Sequence, residues 1–395
     1  MKILYITQIL PYPPDSGGKI KTYQTLKLLG QKHQIYLACF ASDLPTAALK
    51  KKLKKICQRI EVIVSPYPTA RFKKIKPFIF KSLFSSLPFI VYRYRDKRFK
   101  KTVEKILEKE KFDAIHIDHL NMASYLPREK DCLWVLEEHN LESEINWGIV
   151  RREEWNKFKI FSLLEAIKLA IFERRTVSKF DYIFAISKSD RKKLIKLGAK
   201  ENKVFFLPTS FKTKPLLGSK SHKLTILFVG LLAWWPNKDG LLWFYEKIFP
   251  LVKQKIPNVE LIVIGKEATK EMIDLDKKDR QFRLIGYVED LEKYLAKASV
   301  FIVPLRVGSG IRIKILTALA AGLPVVSTKK GAEGIASRSG KGIILADGPK
   351  HFARAVVKIL KNRKLANKLS RTGLDFVKRD YNQQKAAEAL ERAYP

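Results

Sequence analysis

The chain has 395 residues, enough for two or three domains that each bury a core, and its 46% hydrophobic content excludes a disordered polymer. Lys and Arg number 77 against 39 Asp and Glu, a formal net charge of +38. Such a charge implies an anionic partner (phosphate-bearing substrates, an anionic membrane surface or nucleic acid), unless a lysine-rich proteome accounts for part of it.

The opening MKILYITQ reads as a first β-strand, because it lacks the basic start and small-residue cleavage site of a signal peptide. Further short apolar runs follow at 34–40, 61–64, 114–117, 133–137 and 182–186, separated by helical patterns. That alternation predicts βαβ units and a parallel sheet. Residues 207–223 break the rhythm with Pro208, Pro215 and Gly218 among serines and lysines, and read as a linker. The rhythm restarts at 224–229, 259–264, 282–284, 300–303, 324–327 and 342–345. The expectation is an α/β chain of two doubly wound parallel-sheet domains, 1–206 and 224–374. A helical pattern over 364–393 would let the segment 375–395 return to the first domain. Sheets of this kind bind ligands at the carboxyl ends of their strands, and two of them face to face would flank a cleft.

The longest uncharged runs, 224–237 and 315–328, have 14 residues each, short of the ~20 that span a bilayer. Cys39, Cys57 and Cys132 are scattered, so neither a zinc site nor a disulfide framework is suggested, and a reducing cytoplasm is the natural setting.

Several stretches carry chemistry. In VPLRVGSGIRIKILTALAAGLPVVST, residues 303–328, a strand-like run ends in a Gly-Ser-Gly turn followed by Arg312, Lys314 and a helical pattern. A helix start offers free N–H groups and a positive dipole end, glycines permit close approach, and two cations suit a diphosphate. A tight turn with two solvated cations fits the same letters. Asp15-Ser16-Gly17-Gly18-Lys19 follows the first strand, but its spacing is neither the P-loop nor GxGxxG. His116-Ile117-Asp118-His119 and the Glu138-His139-Asn140 stretch each follow a strand, where they can hydrogen-bond a sugar or phosphate or serve as structural groups. No further ligand cluster accompanies the two histidines, so no metal is expected. Asp274-Leu275-Asp276 is a DxD without a strand end nearby and reads as surface charge. The stretch from Arg71 to Lys101 holds eleven Lys or Arg and one acid among Phe, Ile, Leu and Tyr. It reads as an interfacial, anionic-membrane surface, or as packed helices with solvated lysines. No recognised nucleic-acid motif is present, and no nucleic acid is expected as partner.

Taken together, ILFVGLLAWWPNKDGLLWF (226–244), LIVIG (261–265), residues 284–328 and GAEGI (331–335) strongly resemble glycosyltransferase family 4. In the first half, the strand before Gly17-Gly18, EEHNLES and FDYIFAISKSD resemble it more loosely. The resemblance implies the GT-B fold, with two Rossmann-like domains. It implies a retaining transfer of a sugar from a nucleotide-diphosphate sugar, UDP- or GDP-linked, to a hydroxyl of a lipid-linked or glycan acceptor. Cell-envelope polysaccharide, lipopolysaccharide or glycolipid would be the product, made at the cytoplasmic face of a membrane. No cofactor beyond the co-substrate is implied. By similarity Arg312 and Lys314 neutralise the diphosphate. Gly308, Ser309, Gly310 and Ile311 donate backbone N–H groups. Gly17, Gly18 and the Gly230 turn approach the donor, and His119, or else Asp118, contacts its sugar. His139 and Asn140 are further sugar or acceptor contacts. The family's two glutamates, eight residues apart, are here Ser309 and Thr317, and an arginine after the first glycine turn of the second domain is Leu231. A non-catalytic binding protein of the same fold, or a sugar-nucleotide epimerase, is the alternative.

Overall fold

The structure, a computed structural model, describes residues 1–65, 79–151, 157–215, 224–308 and 310–395. The chain forms two compact units. Unit 1 comprises Met1–Thr209 with Gln384–Pro395, and unit 2 comprises Ser210–Gln383.

Unit 1 is built on a seven-stranded sheet in the order β3-β2-β1-β4-β5-β6-β7, every pairing parallel. The strands are β1 (Lys2–Thr7), β2 (Gln34–Ala41), β3 (Arg59–Val64), β4 (Ala114–Asp118), β5 (Leu133–Glu138), β6 (Tyr182–Ala185) and β7 (Val204–Phe206). Strands covered on both faces are apolar throughout, which is why β1 reads KILYIT and β4 begins Ala-Ile. Alternate residues part to the two faces. Leu4, Ile6, Ile115, Ile117 and Leu136 enter one core with Phe40, Phe99 and Val103. Ile3, Tyr5, Ala114 and Val135 enter the other with Leu26 and Leu29 of the helix Gly17–Leu29. Residues 384–395 complete that second core through Ala386, Leu390 and Tyr394. The helical run expected over 364–393 is two helices, Arg363–Asp380 and Gln383–Leu390, parted at Tyr381.

Unit 2 carries a six-stranded, all-parallel sheet in the order β10-β9-β8-β11-β12-β13. Its strands are β8 (Thr225–Val229), β9 (Glu260–Ile264), β10 (Phe282–Gly286), β11 (Val300–Val303), β12 (Val325–Ser327) and β13 (Ile343–Leu345). Phe228, Phe244, Phe249, Phe282 and Phe352 are fully buried in its core, each contributing about 1.5–3 kcal/mol of apolar burial. Residues 210–215, part of the expected linker, are tied into unit 2: Phe211 N–H donates to the Tyr381 carbonyl at 2.8 Å, and Lys214 N–H to that of Ala320 at 3.0 Å.

In both sheets the chain starts centrally, winds one way, then crosses to wind the other. The reversal lies between β1 and β4 in unit 1 and between β8 and β11 in unit 2. The carboxyl ends of those strand pairs are where such sheets hold ligands.

Candidate functional site

At the reversal in unit 1 the strand ends are polar. Thr7, Asp118 and Glu137 sit side by side in register on β1, β4 and β5. They share one face because each lies an even number of residues from Tyr5, His116 or Val135 below. The helix Gly17–Leu29 lies over them and buries Lys21, Thr22 and Thr25 above the apolar Leu26 and Leu29. Glu137 Oε1 takes the Lys21 ammonium at 2.9 Å and the Thr25 hydroxyl at 3.0 Å. Its Oε2 lies 3.3 Å from His116 Nε2. His116 stacks on Tyr5 at 4.4 Å, and its Nδ1 lies 2.6 Å from the Tyr394 hydroxyl. Burial resists the charge on Glu137, but the Lys21 ammonium and the His116 hydrogen bond outweigh it and bring the carboxyl down to about 2.

Asp118 Oδ2 accepts the hydroxyls of Thr7 at 2.6 Å and Thr22 at 2.8 Å. His139 Nε2 stands 2.7 Å from Oδ1, and His119 Nδ1 stands 3.5 Å from Oδ2. Burial works against ionisation here too, yet the two rings hold Asp118 well below the usual carboxylate range. For His119, burial is overcome by the Asp118 charge, which raises the imidazole to about 9. Burial and the His119 charge lower His139. The result is a His119–Asp118 pair with the His139 ring stacked on His119 at 3.9 Å. His119 has φ 75°, a left-handed conformation costly for a residue with a Cβ.

Asp118, His119 and His139 bring one ligand atom each within 4.8 Å of the others, enough to consider a cation. The rings stand only 29° from parallel, so their in-plane lone pairs run side by side and do not converge on one point. The geometry suits a proton-sharing network.

Beyond β5 the polar groups continue into a small, partly open pocket of unit 1, lined by Gln8, His119, Asn121, Glu138, Asn140 and Glu173 among others. Glu138 accepts the N–H groups of Leu120 at 3.0 Å and Asn140 at 3.2 Å, yet burial pushes it up to about 8. Burial also raises Glu173 to about 7 and half-buried Glu142 to about 7. Gly17 and Gly18 open their helix after Ser16. The surrounding chain does not demand a glycine at 18, where a Cβ would meet Ile9 Cδ1 at 3.4 Å.

At the reversal in unit 2 the two expected cations come together. Arg312 is buried, with its guanidinium 5.8 Å from the Trp234 ring. Lys314 Nζ donates to Asn237 Oδ1 at 2.8 Å, lies 4.8 Å from the Phe228 ring, and sits over the Gly230 turn. Asn237 is itself fixed by donating Nδ2 to the Leu231 carbonyl at 2.9 Å. Burial, then the Arg312 charge, lowers Lys314 to about 7. Two glycines make room. A Cβ on Gly230 would lie 2.8 Å from Lys314 Nζ, and one on Gly308 2.1 Å from an Arg312 terminal nitrogen. Gly308 and Gly310 have φ of 137° and 75°. These turn-forming conformations delay the helix to Ile313–Ala320, so Gly308, Gly310 and Ile311 precede it and do not form its first turn. Ser309 lies outside the described residues. Thr317 donates its hydroxyl to the Ile313 carbonyl of its own helix at 3.1 Å. In the DxD, Asp276 accepts Leu284 N–H at 2.8 Å, a structural use.

Sequence reasoning brought forward Asp118, His119, His139, Arg312 and Lys314, and the structure groups them as described. It missed Lys21, Glu137, Asn237 and Trp234, and named His116 only as part of the stretch ending in His119. The available signal was paired acids closing an apolar strand (Glu137-Glu138) and an asparagine just past the Gly230 turn.

Two all-parallel, doubly wound sheets in one chain are the architecture of the GT-B fold, and solved structures share it over the whole chain. The whole chain superposes on sucrose-phosphate synthase from Thermosynechococcus elongatus with a TM-score of 0.72 at 15% identity, covering 100% of this chain and 98% of that one. Anabaena HepE in complex with UDP gives 0.64 at 15% identity, covering 100% and 99%. TarM gives 0.69 at 12% identity, covering 100% and 98%. Residues 25–214 match the model described as Glycosyltransferase Family 4, and residues 223–362 match Glycosyl transferases group 1. The chain belongs to this family. It is also 24% identical over 403 residues to an uncharacterized 44.6 kDa protein in the cps region of Klebsiella pneumoniae, covering 98% of both chains.

Proposed function

We propose that the protein transfers a sugar, with retention, from a nucleotide-diphosphate sugar to a hydroxyl of a lipid-linked or glycan acceptor in cell-envelope polysaccharide or glycolipid synthesis. The carrying observation is the pair Arg312 and Lys314, held at the switch point of the second sheet beside two glycine turns that no side chain can crowd. A departing nucleoside diphosphate develops negative charge, and fixed buried cations stabilise it without reorganising. UDP is the first nucleotide to try, because HepE has been seen with UDP-glucose and TarM with UDP. A polysaccharide pathway is favoured by the Klebsiella relative's cps region. The same reading gives protonated His119 a hydrogen bond to the transferred sugar. Arg71 to Lys101, of which 71–78 lie outside the described residues, would hold the enzyme at the cytoplasmic face of an anionic membrane.

Ligand-induced thermal stabilisation across UDP-, GDP-, ADP- and CMP-sugars tests the donor site. A donor at ~100 times its Kd adds ~2.7 kcal/mol, and Arg312→Ala should remove the shift, read against the variant's own apo melting point. No response to any donor would refute the assignment. A second reading, donor binding without transfer, is favoured by Thr317, whose hydroxyl is engaged by its own helix where the family carries a ribose-binding carboxylate. Stabilisation by a donor with no turnover on any glycan or lipid-linked acceptor would support it.

A further inference from the structure

The helix Lys157–Val177 of unit 1 is apolar on both sides: Ala166, Leu169 and Val177 face the core, and a second apolar set faces out. Ser162, Glu165 and Glu173 are buried, while Ile160, Leu164, Ile167 and Ile171 stand between 44% and 50% exposed. Their spacing of four, three and four residues places them in one stripe along the helix. Phe80 and Phe84 widen it. They are 63% and 81% exposed, their rings 5.3 Å apart, with Leu83 exposed between them. The two segments lie together, since Lys168 Nζ donates to the Ser82 carbonyl at 2.8 Å and Phe89 packs its ring 6.4 Å from Phe161.

Within residues 79–95 and 159–177 the exposed charge is of one sign. Lys81, Arg174 and Arg175 are exposed. The acids of residues 79–95 and 159–177 are Glu165 and Glu173 alone, and both are turned inward. Glu165 accepts Phe89 N–H, and Glu173 accepts the N–H and hydroxyl of Ser143. The acids thus fasten the helix from inside and leave its outer surface apolar and cationic. A second copy is a poor occupant, because a self-complementary contact would set the same cations against each other with no acid between them.

We propose that this ridge docks into the interface of an anionic lipid bilayer. Ile160, Leu164, Ile167, Ile171, Phe80 and Phe84 enter the headgroup–acyl boundary, and Lys81, Arg174 and Arg175 meet the lipid phosphates. The inference rests on the membrane-associated reading above and deepens it, joining the helix Lys157–Val177 to residues 80–84 of that basic stretch as one surface. Among the described residues no helix is long and apolar enough to cross a membrane, so the attachment is interfacial.

The test is co-sedimentation of the full chain with vesicles of phosphatidylcholine alone and of phosphatidylcholine mixed with phosphatidylglycerol. The wild type should bind the mixed vesicles. Phe84→Glu with Ile167→Glu should weaken that partitioning by about tenfold or more, as expected when two apolar side chains no longer leave water. Its thermal melt should be unchanged, because both sites are exposed. Arg174→Glu with Arg175→Glu should lower binding to the mixed vesicles specifically. If Phe84→Glu/Ile167→Glu binds like the wild type, this surface is wrong while membrane association stands. Wild type that binds neither vesicle overturns both. A concentration-dependent dimer that the apolar double variant breaks would assign the ridge to a second copy and overturn the lipid occupant.

Discussion

Glu137→Gln keeps the shape of the unit 1 cluster and removes its central charge. The Lys21 ammonium, 2.9 Å from Oε1 and almost wholly buried, would then lack its counterion. Breaking a buried pair from one side costs about 3–5 kcal/mol. Unit 1 has 209 residues plus 12 from the second segment, 221 in all. At ~2–4 °C per kcal/mol for a domain of that size, the melting point should fall by roughly 6–20 °C. The lowering of the carboxyl from its ordinary 4.5 to about 2 on folding points the same way and links a few kcal/mol of stability to its ionisation. Because the folded value is the lower one, this stability is present above pH ~4.5 and is lost as pH falls toward 2. Calorimetric melts of wild type and Glu137→Gln from pH 3 to 8 should therefore differ most at neutral pH and converge in acid. Lys21→Met combined with Glu137→Gln should recover part of the loss, since no unpaired charge remains. A variant melting within about 2 °C of the wild type at every pH would refute the charge-paired cluster.

The remaining expectations concern donor binding. Lys314, lowered to about 7, loses its charge as pH rises through neutrality, so donor affinity should fall between pH 6 and 9, and Lys314→Arg should flatten that fall in a binding titration. Gly230→Ala places a methyl 2.8 Å from Lys314 Nζ and 2.7 Å from Asn237 Nδ2, so donor Kd should rise more than the melting point drops. Gly308→Ala meets both a φ of 137° and a contact of 2.1 Å with Arg312; it should cost at least ~1–2 kcal/mol of stability and abolish the donor shift. His119→Ala removes the ion partner of Asp118, and single-turnover transfer should slow more than donor binding weakens.

The strands of both sheets were legible because central parallel strands are apolar on both faces and stand out as continuous runs. β7 was not, since Val-Phe-Phe is three residues between a short helical turn and Pro208. Lys21 illustrates the limit at the site. A lysine on an amphipathic helix reads as solvated, and only the pairing of β5 beside β4 brings Glu137 beneath it. Tyr394 reaches His116 across 278 positions, a contact no local pattern encodes. The helix Lys157–Val177 is apolar on two sides, so its periodicity alone does not say which side faces inward. In unit 2 Arg312 and Lys314 were readable from the glycine turn, whereas the start of their helix was not. Two left-handed glycines spend three more residues before the first helical turn.

The sheet of unit 1 is closed by residues that follow all of unit 2 in the chain. During synthesis, Ile3, Tyr5 and Val135 emerge early, but Ala386, Leu390 and Tyr394 come only after the 174 residues 210–383 have been made. Until then the part of that face not covered by the helix Gly17–Leu29 stays open, and His116 lacks its Tyr394 partner. The nascent chain must carry that exposed surface through the entire translation of the second unit. Residues 384–395 therefore couple the finishing of unit 1 to the prior synthesis of unit 2. A ribosome that stalls within them leaves two nearly finished units, the first of which a chaperone or protease can still distinguish from the mature protein.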